Sequence, residues 1–327
     1  MQIRVSSQSE SGVPATSSIG GGSTTSFASL QGDRSAACRV FEYGVTSEQG
    51  SRKTMEDQHA MVAEAIPLFG VYDGHGGTQC AEFLRDNLHT LILSHPDIKT
   101  NPEEAIRAGI AKAEGIFLGR CASEKIESGS TCAVAMIVDD TLVTGNVGDS
   151  EIVLCRAGSP LVLSTKHSLH CNEAEGERVK ACGGRIISNR VGHPKYNPQV
   201  LSLGITRAIG DAGFKLEEYT DGKPSGVIAE AETRSTKLTD EDEFLIIGCD
   251  GLWDVMSYDR VVQFCSQLAA EGVPPQEITD RLCQEALRQG STDNVTTLLV
   301  QLKCVVHSSK SIFLHERALS ASLGYSV

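Results

Sequence analysis

The sequence predicts an α+β fold in which antiparallel strands form the core and helices pack outside them. Three observations carry that prediction. Short apolar runs are divided by tight turn residues, helical segments come in consecutive pairs, and strict strand–helix–strand alternation is absent. The last point disfavours a parallel, Rossmann-type sheet.

Residues 41–45 and 68–72 read as strands, the second stopping abruptly at Asp73-Gly74. A helix is predicted over 78–94, where Ala81, Leu84, Leu88 and Leu91 share one face. The next starts at Asn101-Pro102, with Asn as the cap, proline at the first helical position, and Glu103 and Glu104 behind it. Its apolar face is Ile106, Ile110, Ala113 and Phe117.

Short strands follow over 131–138, 142–147 and 151–156, separated by Asp139-Asp140 and Gly148-Asp149. Residues 172–182 read as a helix stopped by Gly183-Gly184. A buried strand over 244–249 ends at Asp250-Gly251. Helices over 257–271 and 275–289 and a strand over 295–302 close the pattern. Residues 1–37, with ten serines and Gly20-Gly21-Gly22, offer too little apolar surface to offset chain entropy and are expected to be a disordered tail. Residues 305–327 read as a peripheral extension, which leaves 38–304 as the folded domain.

Composition narrows the function classes. A net charge of −13 argues against a nucleic-acid binder working by phosphate neutralisation. No stretch reaches the roughly 18–20 apolar residues of a membrane span, and Met-Gln-Ile-Arg lacks the apolar core of a signal peptide. Eleven cysteines contain no C-x-x-C pair, against a structural zinc site or a thioredoxin-like motif. Several, such as Cys132, Cys155 and Cys249, sit in apolar runs and are expected to be reduced thiols. The expectation is an intracellular protein, cytoplasmic or nuclear, without membrane insertion, and monomeric.

The carboxylates stand at strand ends. Asp73 and Asp250 each follow an apolar strand and precede glycine, Asp149 follows the strand ending near Val147, and Asp293 precedes the last strand. Glu56 and Asp57 lead into the strand that ends at Asp73. Any one Asp-Gly is most simply a turn. A set at strand ends is harder to dismiss, because antiparallel sheets bring such ends together and like charges there repel by about a few kcal/mol per pair. Oxygen donors without histidine or cysteine clusters favour hard ions, Mg²⁺ or Mn²⁺ before Zn²⁺. Two such ions sharing a water describe a hydrolase.

The blocks that carry these residues are Arg52-Lys-Thr-Met-Glu-Asp57, Phe69-Gly-Val-Tyr-Asp-Gly-His-Gly-Gly77, Ser128-Gly-Ser-Thr131, Asn146-Val-Gly-Asp-Ser150, Thr206-Arg-Ala-Ile-Gly-Asp211, Cys249-Asp-Gly-Leu-Trp-Asp-Val255 and Ser291-Thr-Asp-Asn-Val295. Seven blocks in this order resemble the metal-dependent serine/threonine protein phosphatases of type 2C, from about Phe41 to Leu302. The resemblance implies two packed antiparallel sheets flanked by helix pairs. It also implies hydrolysis of phosphoserine and phosphothreonine in phosphoprotein substrates, by a water bound between two Mg²⁺ or Mn²⁺ ions.

By the same resemblance Asp73 bridges both metals, with the Gly74 carbonyl as a ligand beside it, and Asp250 and Asp293 complete one metal. Glu56 acts through water with Asp57 in support, and Asp149 and Asp254 are tied to a weaker third metal. Arg52 matches the phosphate-binding arginine and His75 the general acid.

Three segments depart from the pattern. Glu151 stands where many members carry arginine, Thr165-Lys-His-Ser168 replaces Asp-His-Lys-Pro, and Ala229-Glu-Ala-Glu-Thr233 lacks a common proline. Glu151 is expected to add negative charge near Asp149. The alternatives are a phosphatase-like binding module without turnover and a hydrolase of small phosphorylated metabolites. Loss of ligands would mark the first; comparing phosphoproteins with sugar phosphates separates the second.

Overall fold

The computed structural model describes residues 38–63 and 65–305. The predicted tail and nearly all of the predicted extension lie outside the described residues; Val305 closes the last strand. The principal elements run β1 (Cys38–Glu48), β2 (Gln58–Val62), β3 (Leu68–Tyr72), α1 (Gln79–Leu93), α2 (Pro102–Glu124), β4 (Cys132–Val138), β5 (Thr141–Val147), β6 (Glu151–Arg156), β7 (Ser159–Val162), α3 (Glu173–Ala181), β8 (Glu232–Lys237), β9 (Asp242–Gly248), α4 (Tyr258–Ala270), α5 (Pro275–Arg288) and β10 (Val295–Val305).

Two five-stranded antiparallel sheets form the centre, one ordered β1-β10-β9-β6-β7 and the other β8-β5-β4-β3-β2. Period-two alternation decides how they stack. In β4, Ala133, Ala135 and Ile137 face the other sheet, while Cys132, Val134 and Met136 pack with Leu84 and Leu88 of α1 and Ile106 and Ile110 of α2. In β9, Leu245 and Ile247 face inward, while Phe244 and Ile246 pack against Val262, Cys265 and Leu282 of α4 and α5. Central strands are thus apolar on both faces and read as unbroken hydrophobic runs. The result is the layered helix–sheet–sheet–helix arrangement that the family resemblance implied.

Local chemistry explains the helix ends. The Asn101 side chain accepts from the Glu104 amide at 3.4 Å and Pro102 opens α2, as the sequence predicts. Asn172 and Ser257 cap α3 and α4 in the same way. Helix α2 lies close on its sheet at Gly145, where a Cβ would collide with Ile106.

The register places the site. Glu48 at the end of β1 lies opposite Val295 at the start of β10, and Gly248 of β9 pairs with both Thr297 and Glu151. The ends of β3, β5 and β9 and the beginnings of β6 and β10 therefore collect at one edge of the sandwich. Two small three-stranded sheets complete the structure. One joins Gly74–His75, Gly129–Ser130 and Ile209–Gly210 at that edge; the other joins Arg185–Ile187, Arg190–Gly192 and Ser202–Leu203.

Candidate metal centre

A cleft of about 270 Å³ opens at this edge, lined among others by Arg52, Glu56, Asp73, Gly74, His75, Asp149, Asp250 and Asp293. Eight of the ten residues singled out in the sequence thus share one wall. Of the other two, Asp57 lies buried beneath it, and Asp254 is exposed outside it.

A polar web under the cleft fixes the first carboxylates. The Asp73 carbonyl accepts from the Thr131 amide at 2.8 Å, and its own amide donates to Thr131 Oγ1 at 3.1 Å. Thr131 Oγ1 meets Ser150 Oγ at 2.7 Å, beside Asp149. The turn carrying Asp149 is held by His167, whose Nδ1 accepts from the Gly148 amide at 3.1 Å and whose amide donates to the Gly148 carbonyl at 2.9 Å. Burial lowers the His167 pKa, which keeps the ring neutral and able to accept. The departing segment around Thr165-Ser168 therefore supports the strand end after all.

Asn294 organises the other side. Its side-chain amide donates to the carbonyls of Gln49 and Thr54, each at 2.9 Å, and its oxygen accepts from the Glu56 amide at 2.8 Å. This ties the loop bearing Arg52 and Glu56 to the start of β10. Arg52 forms an ion pair with Asp293 at the cleft mouth. Glu56 accepts from Thr54 Oγ1 at 2.9 Å and from the Gly77 amide at 3.2 Å.

Oxygens of Asp73, Asp149 and Asp250 lie within 4.8 Å of one another, and Asp57 and Cys249 come equally close to Asp73. Burial, reinforced by these neighbours, pushes Asp73 well above the usual carboxylate range. Burial likewise pushes Asp149 up to about 7, and Asp57 and Asp250 up to about 6. Oδ2 of the buried Asp57 has no hydrogen-bond partner. Crowded carboxylates with an orphaned oxygen fit a hard cation, which would relieve this repulsion.

A stability test follows. At low pH both folded and unfolded chains hold the protons and the cluster carries no penalty. As pH rises through about 6 to 7 the folded cluster must ionise against its neighbours, so the metal-free chain loses stability. The rise in Tm on adding saturating Mn²⁺ is therefore expected to grow between about pH 5 and about pH 8. A rise independent of pH would mean that the ion binds elsewhere.

His75 has a partner that sequence reasoning left without a role. Its Nε2 lies 2.9 Å from both oxygens of the buried Asp211. Burial alone would lower the His75 pKa, but the Asp211 charge and hydrogen bond outweigh it and raise the pKa. Asp211 sits at φ 53, just after Gly210 at φ 78. A Cβ on Gly129 would lie 2.5 Å from both His75 Nε2 and Asp211 Oδ2, so only glycine leaves room for the pair. The Ile-Gly-Asp sequence before a short helix was the available signal.

Arg190, from the second small sheet, also lines the cleft; it was missed because nothing in its local sequence marks it. Glu151 does not face the cleft. It is 3% exposed, on the α4 side of β6, and accepts from the Tyr258 hydroxyl. Tyr258→Phe would leave this carboxylate unpaired and is expected to cost about 1–3 kcal/mol. Urea denaturation measures the loss, and adding Glu151→Gln should recover part of it.

The family model described as "Protein phosphatase 2C" matches residues 41–295. The chain belongs to the protein phosphatase 2C family. Among its phosphatase 2C relatives, probable protein phosphatase 2C 54 of Oryza sativa subsp. japonica is 36% identical over 272 residues, covering 79% of this chain and 71% of that protein. Probable protein phosphatase 2C 59 of Arabidopsis thaliana is 34% identical over 269 residues, covering 80% and 79%. Protein spalten of Dictyostelium discoideum is 36% identical over 287 residues, but this chain spans only 28% of its length. The fold is shared with the serine-threonine phosphatase 2C from Toxoplasma gondii, at a TM-score of 0.70 and 21% identity over 82% of this chain and 96% of that one.

Proposed function

We propose that this phosphatase 2C chain removes phosphate from phosphoserine and phosphothreonine in proteins, using Mg²⁺ or Mn²⁺. The observation that carries the reading is the convergence of Asp73, Asp149 and Asp250 in a cleft that also holds Arg52 and His75. Asp73, the Gly74 carbonyl, Asp250 and Asp293 would hold two ions, with Glu56 acting through water and Asp57 behind them. Divalent cations there supply charge to phosphoryl oxygens and lower the pKa of water.

The chain's own groups do the rest. Arg52 offers a planar fork to a phosphomonoester dianion, and Asp293 holds that fork at the mouth of the cleft. Asp211 engages Nε2 of His75, so the imidazolium's transferable proton sits on Nδ1. That proton would neutralise the serine or threonine alkoxide as it leaves. Retention of every matched carboxylate favours turnover over a binding module. Among the described residues no helix is long and apolar enough to cross a membrane, and the nine cysteines from Cys80 to Cys283 are free thiols, which suits a reducing compartment.

The test is phosphate release by the purified full chain from phosphoserine and phosphothreonine peptides. Release is expected with millimolar Mn²⁺ or Mg²⁺, to be lost in EDTA, and to be slower on sugar phosphates. No release with either ion would overturn the reading.

A further inference from the structure

Asp254 is the matched carboxylate that lies exposed outside the cleft. It has acquired a partner of its own. Lys166 Nζ lies 2.7 Å from Asp254 Oδ1, with the lysine side chain 23% exposed and the aspartate 61% exposed. The lysine is rooted in fixed backbone. Its carbonyl accepts from the Asn172 side chain at 3.1 Å, and the next residue is the His167 that grips the Gly148 turn.

The ammonium therefore extends from the base of the Asp149 turn toward Asp254. Its positive charge is felt at Asp149, Asp250 and Glu151 as well as at Asp254, and favours the ionised form of the first three. Glu151 does not compete for it directly, because that carboxylate is engaged by Tyr258.

We infer that Lys166 is a tethered counter-cation of the metal centre: it stands where Asp149 and Asp254 would share an additional divalent ion, so this chain takes two ions and Asp254 anchors Lys166. A divalent ion entering between those carboxylates would have to break a charge-assisted hydrogen bond and displace the ammonium. The charge that Lys166 brings is present at every metal concentration. This inference rests on the metal reading given above.

Mn²⁺ bound to the full chain, counted by equilibrium dialysis at neutral pH up to millimolar free ion, provides the test. Wild type is expected to saturate at two ions, and Lys166→Arg, which keeps the charge, likewise. Lys166→Gln is expected to take up a third, weaker ion, which Asp254→Asn in the same chain removes. A wild type that binds three ions and loses one in Asp254→Asn would overturn the inference, as would Lys166→Gln remaining at two. A wild type that binds no Mn²⁺ would overturn the metal reading itself, and this inference with it.

Discussion

Asp73→Asn is expected to lower kcat/KM on a phosphothreonine peptide by about three to four orders of magnitude, while raising the Tm of the metal-free chain. Asparagine keeps the shape, and the backbone bonds to Thr131 do not involve the carboxylate. What disappears is one charge from the centre of the cluster, and with it the grip on cations worth several kcal/mol in the transition state. Without metal that same charge is a burden, since burial, Asp57, Asp250 and Asp149 all disfavour it. Its removal should raise Tm by about 2–4 °C for each kcal/mol of repulsion relieved. With saturating Mn²⁺ the order reverses, and wild type becomes the more stable. A variant that loses activity and melts lower under both conditions would point to a structural Asp73 instead.

His75→Ala is expected to lower kcat on phosphoserine peptides by about 10²- to 10⁴-fold. The loss should shrink on an aryl phosphate, whose phenolate leaves without a proton. An equal loss on both would remove His75 from the role of acid. The pH profile adds a sign. Asp211 raises the His75 pKa, so the protonated form persists toward neutral pH and kcat falls only as pH rises through that raised value. Asp211→Asn removes the raising charge and should move this alkaline limb to lower pH.

Much of this was legible in the sequence because chemistry and periodicity agreed. The cap at Asn101-Pro102, the apolar face of α2 and the unbroken apolar runs of β4 and β9 are each local signals that packing confirmed. The carboxylates were legible for a different reason: Asp73, Asp149 and Asp250 each follow an apolar strand at its end, and Asp293 precedes one. Strand β8, Glu-Thr-Arg-Ser-Thr-Lys, was not read because an exposed edge strand carries no apolar alternation.

Glu151 was misplaced in expectation. Next to Asp149 in sequence, it is the first residue of a pleated strand, and its side chain follows Val153 and Cys155 toward α4. Asp211 and Lys166 were illegible as partners because their contacts, with His75 and Asp254, span 136 and 88 positions. No local pattern records a pairing across that distance.

The pairing of β1 with β10 reaches beyond the cleft. Cys38 lies opposite Val305, ten residues along the strands from the Glu48–Val295 pair that borders the site. At strand spacing that is about 33 Å. Both ends of the folded core therefore leave side by side, at the pole remote from the cleft. A label, a fluorescent fusion or a surface tether attached at either end would sit away from incoming substrate. A short peptide joining the two ends would permit circularly permuted enzymes, with new termini opened in an exposed loop.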